Sequence, residues 1–406
     1  MRRIGTLATC AAEGGQGDIH PITNAALAWR DGRIAWVGPD ADLPPEYADE
    51  VPTNIGSRTP LVIPGLIDCH THLAFGGWRA NEFVERIQGR TYQEIAAAGG
   101  GIASTVEQTH AISSEALADK CTRFLREMLT LGVTTVECKS GYGLTLEEEL
   151  RLLRVYRDLA AVGPQRIVAT LLGAHTVPPN MRGRREAYVD IVVNEMIPAV
   201  ARERLATCCD VFVERGAFTI EEARRILRAA RAAGLAAKLH ADQLSDGGGA
   251  ALAADVHAIS ADHLEHASDA GIAAMARAGV VAVSLPLATM YLRQTPMPAR
   301  RFIEAGVPVA VATDFNPGSA PSYHLPLALT LACTLQRMTP AEALKGATIY
   351  AARAVGVEAE VGSLEPGKRA DFVVIYAPSV DHWLYHFRPN ASGTTHIGGL
   401  AAWTPS

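Results

Sequence analysis

Aromatic residues are scarce, at 6% of 406 positions, while alanine is abundant. Packing between elements therefore has to rely on small aliphatic side chains. No CxxC pair occurs among Cys10, Cys69, Cys121, Cys138, Cys208, Cys209 and Cys333. Their count is odd, and several sit in apolar runs, where a free buried thiol behaves as a small hydrophobe. A reducing cytoplasm is the expected setting. The chain has no basic tail and no long Lys/Arg run, and its formal net charge is −6, which argues against a nucleic-acid partner. Short clusters such as Arg182-Gly-Arg184-Arg185 read as solvated faces. The opening MRRIGTLATCAAEGG lacks a sustained apolar core, and no uninterrupted apolar stretch would cross a bilayer, so no membrane partner is expected. Solenoid repeats and low-complexity linkers are missing too.

What is present describes a globular protein with a large core: 48% hydrophobic and 20% charged residues. The length suits a barrel plus a smaller partner domain. In AALAWRDGRIAWVG, two short runs flank Asp31-Gly32, a hairpin signal. The tail VGSLEPGKRADFVVIYAP is likewise β-rich. Neither end builds much of a core alone, so residues 1–60 and 357–406 are expected to pair as one small composite β-sandwich domain. Between them, residues 61–356 alternate. Strand-like runs fall near 62–69, 133–138, 167–174, 209–214, 236–240, 258–263, 279–284 and 307–313, with amphipathic helical segments between most of them. TIEEARRILRAARAAG opens with a capping-box pattern, Thr219 and Glu222, and closes at Gly234. The expected fold is α/β: a (β/α)8 TIM barrel with catalytic residues at the C-terminal strand ends.

Those strand ends are polar in a consistent way. His70-Thr71-His72, His175, His240, His263 and Asp314 each follow an apolar run. On an extended strand, residues two apart point the same way, so His70 and His72 reach one ion. His240 ends the fifth strand and Asp314 the eighth. Three imidazoles and a carboxylate suit a divalent first-row ion, zinc or iron, with a position left for water or substrate. Any one of these histidines alone reads equally well as a satisfied polar strand end; the set does not.

This pattern resembles the metal-dependent amidohydrolase superfamily. The motifs FGGWRANEF, ECKSGYGL, LLGAHTVPP, KLHADQLSDGGGA, ADHLEH and ATDFNPGSAP, in that order and continuing into PGKRADFVV, resemble the imidazolonepropionase family. The resemblance implies a hydrolase that opens the ring amide of 4-imidazolone-5-propanoate to give N-formimidoyl-L-glutamate. Metal ligands His70, His72, His240 and Asp314 follow from it, as does a homodimer. Many relatives bridge two metals through a carboxylated lysine at the end of strand four. Here DVFVERG has no lysine; Glu214 is the only substitute at that position, Lys139 lies on the wrong strand, and one zinc or iron ion is expected.

The remaining residues suit that small-molecule substrate. Arg79 offers a bidentate partner for a carboxylate tail, and Tyr92 is a second candidate for it. Tyr142, in a glycine-flanked loop, stacks on the ring or simply anchors the loop. His175 is expected to touch substrate. Asn316, Gly318 and Ser319 form a turn that presents donors. His263, assisted by Asp314, is the expected base, with Glu265 and His266 orienting it. Some relatives carry Glu three residues after the strand-five histidine; this chain has Gln243, which cannot act as an acid and is expected to bind the ring edge. Two alternatives stay open: another amidohydrolase (a cyclic-amide hydrolase or a heterocycle deaminase), and a non-catalytic barrel scaffold.

Overall fold

A computed structural model describes residues 1–48, 60–91, 94–95 and 98–405. Its strands, in chain order, are β1 (Ile4–Ala8), β2 (Pro21–Arg30), β3 (Arg33–Pro39), β4 (Leu61–Pro64), β5 (Leu66–Asp68), β6 (Val133–Lys139), β7 (Arg166–Ala174), β8 (Cys208–Val213), β9 (Ala236–Ala241), β10 (Ser260–His263), β11 (Val281–Ser284), β12 (Val309–Val311), β13 (Phe372–Ile375), β14 (Ser392–Ile397) and β15 (Leu400–Trp403). Strands β5 to β12 pair in sequence as one eight-stranded parallel sheet, the expected barrel. Every residue of β6, β10, β11 and β12 is buried, because helices cover a parallel sheet on the outside and side chains fill it within.

The helices form where the periodicity places them. Ser114–Thr130 buries Leu117, Cys121, Phe124, Leu125 and Met128, three or four residues apart, and starts at Ser113, whose side chain accepts from Ala116 N. Ile220–Ala232 carries the full capping box of Thr219 and Glu222.

The run expected as one strand over 62–69 is two strands in two sheets. β4 pairs with β1 and β13, whereas β5 opens the barrel. Gly65 separates them: its N–H donates to Asp371 O at 2.9 Å, and a Cβ there would lie 2.2 Å from Thr134 Oγ1. An unbroken apolar run hid that change of sheet.

The two chain ends and β4 build the second sheet, in the order β15-β14-β13-β4-β1-β2-β3. Asp31 and Gly32, at φ 51° and 76°, make the tight turn between β2 and β3. Ile4, Leu7, Leu27, Ile34, Val62, Phe372 and Val374 give this sheet its own small apolar cluster. We propose the division 1–60 with 357–406 against 61–356; β4 lies just inside the second range but pairs in the sheet of the chain ends.

The barrel seam closes just beyond β5 and β12. Thr313 donates to Asp68 through its N–H (3.0 Å) and its hydroxyl (2.6 Å). Asp314 N donates to His70 O at 3.0 Å, and His72 N to Phe315 O at 2.8 Å. Closing the barrel thus sets the two histidines of the HxH pair beside Asp314.

Candidate metal centre and active site

The rings of His70 and His72 stand 5.3 Å apart, centroid to centroid. His240 on β9 lies 4.5 Å from the first and 5.4 Å from the second. His263 ends β10, 5.7 Å from His70. Asp314 Oδ1 is 3.4 Å from His70 Nε2 and 3.5 Å from His72 Nε2. Two sets of donor atoms result, His70-His72-His240 and His70-His263-Asp314, each gathered within 4.8 Å. The strand-end residues expected from the sequence converge on one point.

Their charge state fits a cation. Burial, reinforced by neighbouring positive groups, holds His70 and His72 well below the ordinary histidine range. Burial also lowers His240, although Asp210 opposes it. Neutral imidazoles are what a metal ion requires. His70 Nε2 is buried with no hydrogen-bond partner among the described residues, and the Nε2 atoms of His72 and His240 meet at 3.3 Å. Buried polar atoms normally have partners, so these converging nitrogens fit a metal ion. His70, His72 and His240 can hold a metal ion.

Beneath the rings lies a charged layer that the sequence reading overlooked. His70 Nδ1–H donates to Asp262 Oδ2 at 2.6 Å, and His240 Nδ1–H to Asp210 Oδ1 at 3.1 Å. Such carboxylate–histidine pairs fix the tautomer and turn the opposite nitrogen toward the centre. Lys139 joins the two carboxylates: its Nζ is 2.7 Å from Asp210, 2.8 Å from Glu137 and 3.5 Å from Asp262. Lys238 adds a bond to Ser260 Oγ at 2.7 Å and lies 3.7 Å from Asp262. Burial alone would raise both aspartates; His240 and Lys139 outweigh it at Asp210, and Lys238 and Lys139 at Asp262, so both stay ionised. The missed signal was strand alternation. Asp68 precedes His70 by two, Lys238 precedes His240 by two, and Glu137 precedes Lys139 by two, all facing inward. Lys139, on the wrong strand to bridge metals, is the hub of this layer.

Asp314 and His263 are tuned differently. Burial pushes the Asp314 carboxyl up to about 7, partly offset by His263. His263 is raised despite its burial, because Glu265, Asp314 and Asp262 favour the imidazolium. Glu265 Oε1 lies 3.8 Å from His263 Nδ1 and accepts from Thr289 Oγ1 at 3.1 Å. His266, expected to orient the base as well, is exposed and does not reach it; its N–H donates to Asp242 O. Both His263 (φ 79°) and Asp314 (φ 56°) occupy left-handed backbone, unusual for such residues and common at functional sites.

Above the cluster opens a pocket of about 1210 Å³. Arg79, Tyr142, His175, Gln243, Asn316 and Ser319 all line it, with Gly99 and Gly100 and, from the start of the helix Ile102–Ala111, Ile102 and Ala103. His175 Nδ1–H donates to Gly141 O at 2.9 Å, and its ring lies nearly parallel to His72, 5.2 Å away. Burial lowers His175 to about 3, so it is neutral. Tyr142 stands 5.8 Å from His72 and 5.4 Å from His175. Arg79 is 5% exposed; its Nε and Nη1 are buried and make no hydrogen bond among the described residues. Six arginines face this pocket (Arg79, Arg86, Arg90, Arg182, Arg215 and Arg293) against Glu107, Glu214 and Asp314, so an acidic protein presents a cationic mouth. Tyr92 lies outside the described residues.

One detail differs from expectation. The Asn316 turn spends its own donors: Asn316 Oδ1 accepts from Gly318 N and Ser319 N, both at 2.8 Å, and its Nδ2 donates to Asp314 O at 2.6 Å. Short Asn side chains satisfy local backbone in this way. Glu214 belongs to neither donor set. Its carboxylate accepts from Arg215 N, Leu244 N and Ser245 Oγ at 2.8, 2.8 and 2.6 Å, so it ties down the loop that carries Gln243.

A parallel barrel with neutral histidines and a carboxylate clustered at its strand ends defines a metal-binding barrel enzyme. Residues 61–394 match the model of the amidohydrolase family. A protein of Symbiobacterium thermophilum named imidazolonepropionase is 52% identical over 372 residues, covering 91% of this chain and 88% of its own. Proteins of the same name from Geobacillus kaustophilus and Shewanella oneidensis are 48% and 49% identical, over 94% and 86% of this chain and 91% and 86% of theirs. The chain therefore belongs to the imidazolonepropionases within the amidohydrolase family. Solved structures share the fold at lower identity. A zinc-bound adenosine deaminase from Xanthomonas campestris matches with a TM-score of 0.69 at 20% identity, covering 98% of this chain and 91% of its own. The guanine deaminase of E. coli matches at 0.71 and 15%, covering 99% of each.

Proposed function

We propose that this chain hydrolyses the ring amide of 4-imidazolone-5-propanoate to N-formimidoyl-L-glutamate. The relatives named for that activity support the reading. The observation that carries it is Arg79, a buried guanidinium with unpartnered donors in the same pocket as the histidine cluster. That is a ready seat for the propanoate carboxylate beside a hydrolytic centre.

One zinc or iron ion, held by His70, His72, His240 and Asp314, would supply an activated water and polarisation of the ring carbonyl. One ion suffices, because β8 ends without a lysine and Glu214 is engaged elsewhere. Arg79 fixes the carboxylate tail, and Tyr142 and His175 border the ring. Gln243 offers both a donor and an acceptor to the ring edge. His263 takes the proton of the attacking water, with Asp314 beside it. The C–O bond forms, the ring C–N bond breaks, and the proton passes from His263 or Asp314 to the leaving nitrogen, since Gln243 cannot deliver it. A homodimer and a cytoplasmic setting belong to the same reading; no helix among the described residues is long and apolar enough to cross a membrane.

Freshly prepared 4-imidazolone-5-propanoate, followed by loss of its ultraviolet absorbance with and without chelator, tests this. Chelator-sensitive loss without ammonia release supports it. Ammonia release would indicate a deaminase, and no metal-dependent loss would sink the proposal. His263→Ala is expected to lower kcat by about 10²-fold or more with metal retained; near-normal turnover would remove His263 as the base.

A further inference from the structure

Glu149 stands in the first turn of the helix Leu146–Val162 and is wholly buried. Its carboxylate reaches back over the helix start and gathers three backbone N–H groups of the preceding loop. Oε1 accepts from Leu144 N at 2.7 Å, Gly143 N at 2.8 Å and Gly141 N at 3.2 Å. Oε2 accepts from Gly141 N at 3.0 Å. Burial raises the Glu149 carboxyl, and Ser140 together with these N–H groups opposes the shift. A buried carboxylate is costly unless hydrogen bonds compensate it, and here the donors are the loop backbone itself.

The loop takes its shape from that arrangement. Gly141 (φ 100°) and Leu144 (φ 57°) both stand in left-handed backbone, which a leucine adopts reluctantly. N–H groups that point to one side of a loop form a concavity for an anion, and Glu149 fills it from within the chain.

The same loop borders the pocket. Tyr142 lies between the two anchored glycines, and Gly141 O accepts from His175 Nδ1–H at 2.9 Å. A carbonyl oxygen only accepts, so Nδ1 carries the ring proton and Nε2 is the nitrogen left for a ligand. Gly141 thus links the buried carboxylate to the imidazole: Glu149 fixes its N–H, and its C=O fixes His175. The other ties of the loop lie further along it. Gly143 O accepts from His110 Nε2–H at 2.7 Å and Leu144 O from the Tyr188 hydroxyl at 3.1 Å. Neither touches Gly141.

We propose that Glu149 is a positioning residue for the reaction: through the N–H of Gly141, its carboxylate sets the carbonyl that orients His175 toward the substrate ring as the Nδ1–H tautomer. This rests on the reading of His175 as a substrate contact given above.

The test compares wild type, Glu149→Gln, His175→Ala and the double variant on 4-imidazolone-5-propanoate, with metal content and melting temperature measured on each. Glutamine keeps the shape of the side chain, but its amide, turned either way, points N–H groups at backbone N–H. Glu149→Gln is expected to raise KM about tenfold while kcat changes by less than about threefold and bound metal is unchanged. Glu149→Asp, which keeps the charge but shortens the reach by one methylene, is measured alongside and should show the same pattern. In the His175→Ala background, Glu149→Gln should change KM by less than about twofold, because it acts through that ring. A second readout needs no substrate. In NMR of protein carrying nitrogen-isotope-labelled histidine, the Nδ1–H signal that disappears in His175→Ala belongs to His175, and Glu149→Gln should move it or replace it with an Nε2–H signal. Wild-type KM in both Glu149 variants, a full effect persisting without His175, or an unmoved Nδ1–H signal would overturn the proposal. If His175→Ala itself keeps wild-type KM, it is the reading of His175 that fails, and the role of Glu149 in the reaction falls with it.

Discussion

Lys139 and Arg79 are both buried cations within one barrel, yet their surroundings are opposite. Lys139, below the histidines, touches Glu137 and Asp210 and lies near Asp262. Arg79, above them, keeps two buried donors without a hydrogen bond among the described residues and faces the pocket. A buried charge is costly unless it is paired. Where the protein supplies the partners, the cation serves the architecture of the site. Arg79 has only a long contact to Glu82, at 3.8 Å, and we propose that a ligand of opposite charge completes its pairing. The contrast separates supporting groups from binding groups more sharply than residue type or burial does.

The largest expected effect breaks the lower region. Lys139→Met leaves three buried carboxylates without their shared cation and should destabilise the fold by about 3–5 kcal/mol. It should also weaken metal affinity by about 10–100-fold, since Asp210 and Asp262 orient His240 and His70. Denaturant unfolding and chelator competition check both. Adding Glu137→Gln should recover part of the loss. Wild-type stability in Lys139→Met would show that the layer is not held by this cation.

The next effect breaks the upper region. Arg79→Met should cost about 1.5–3 kcal/mol of substrate binding, seen as a higher KM. The melting temperature should fall only slightly, because the one ion pair removed, to Glu82, is long at 3.8 Å. A large drop in stability would mean that Arg79 is structurally paired after all, and the contrast would collapse.

A smaller effect sharpens the boundary between the regions. Glu214→Gln keeps an acceptor for Leu244 N and Ser245 Oγ, so stability should fall by only about 1 kcal/mol. Metal content should not change. Loss of an ion in this variant would return Glu214 to the metal site.

Much of this was legible in the chain itself, for identifiable reasons. Parallel strands buried on both faces read as continuous apolar runs, and each ends where the polypeptide turns polar. That is why eight strands and His70, His72, His240, His263 and Asp314 stood out together. The same signal failed at Gly65, where one apolar run serves two sheets. It failed again for Lys139 and Lys238, because a lysine inside a strand looks like an exception until its neighbours two residues away are read as one inward face. The Asn316 turn was recognised as a turn, but sequence cannot show that its donors are already spent. Glu214 was placed at the right strand end, yet its partners come from a loop thirty residues onward.

The central claim is a single-ion hydrolytic centre at the strand ends. Its most direct test is to strip the protein of metal and titrate zinc(II), or iron(II) without oxygen, while measuring turnover of 4-imidazolone-5-propanoate and bound metal together. Activity should be lost on stripping and return in proportion to bound metal, reaching its full value at one ion per chain. Turnover by the metal-free protein, or recovery that ends only at two ions, would contradict the account.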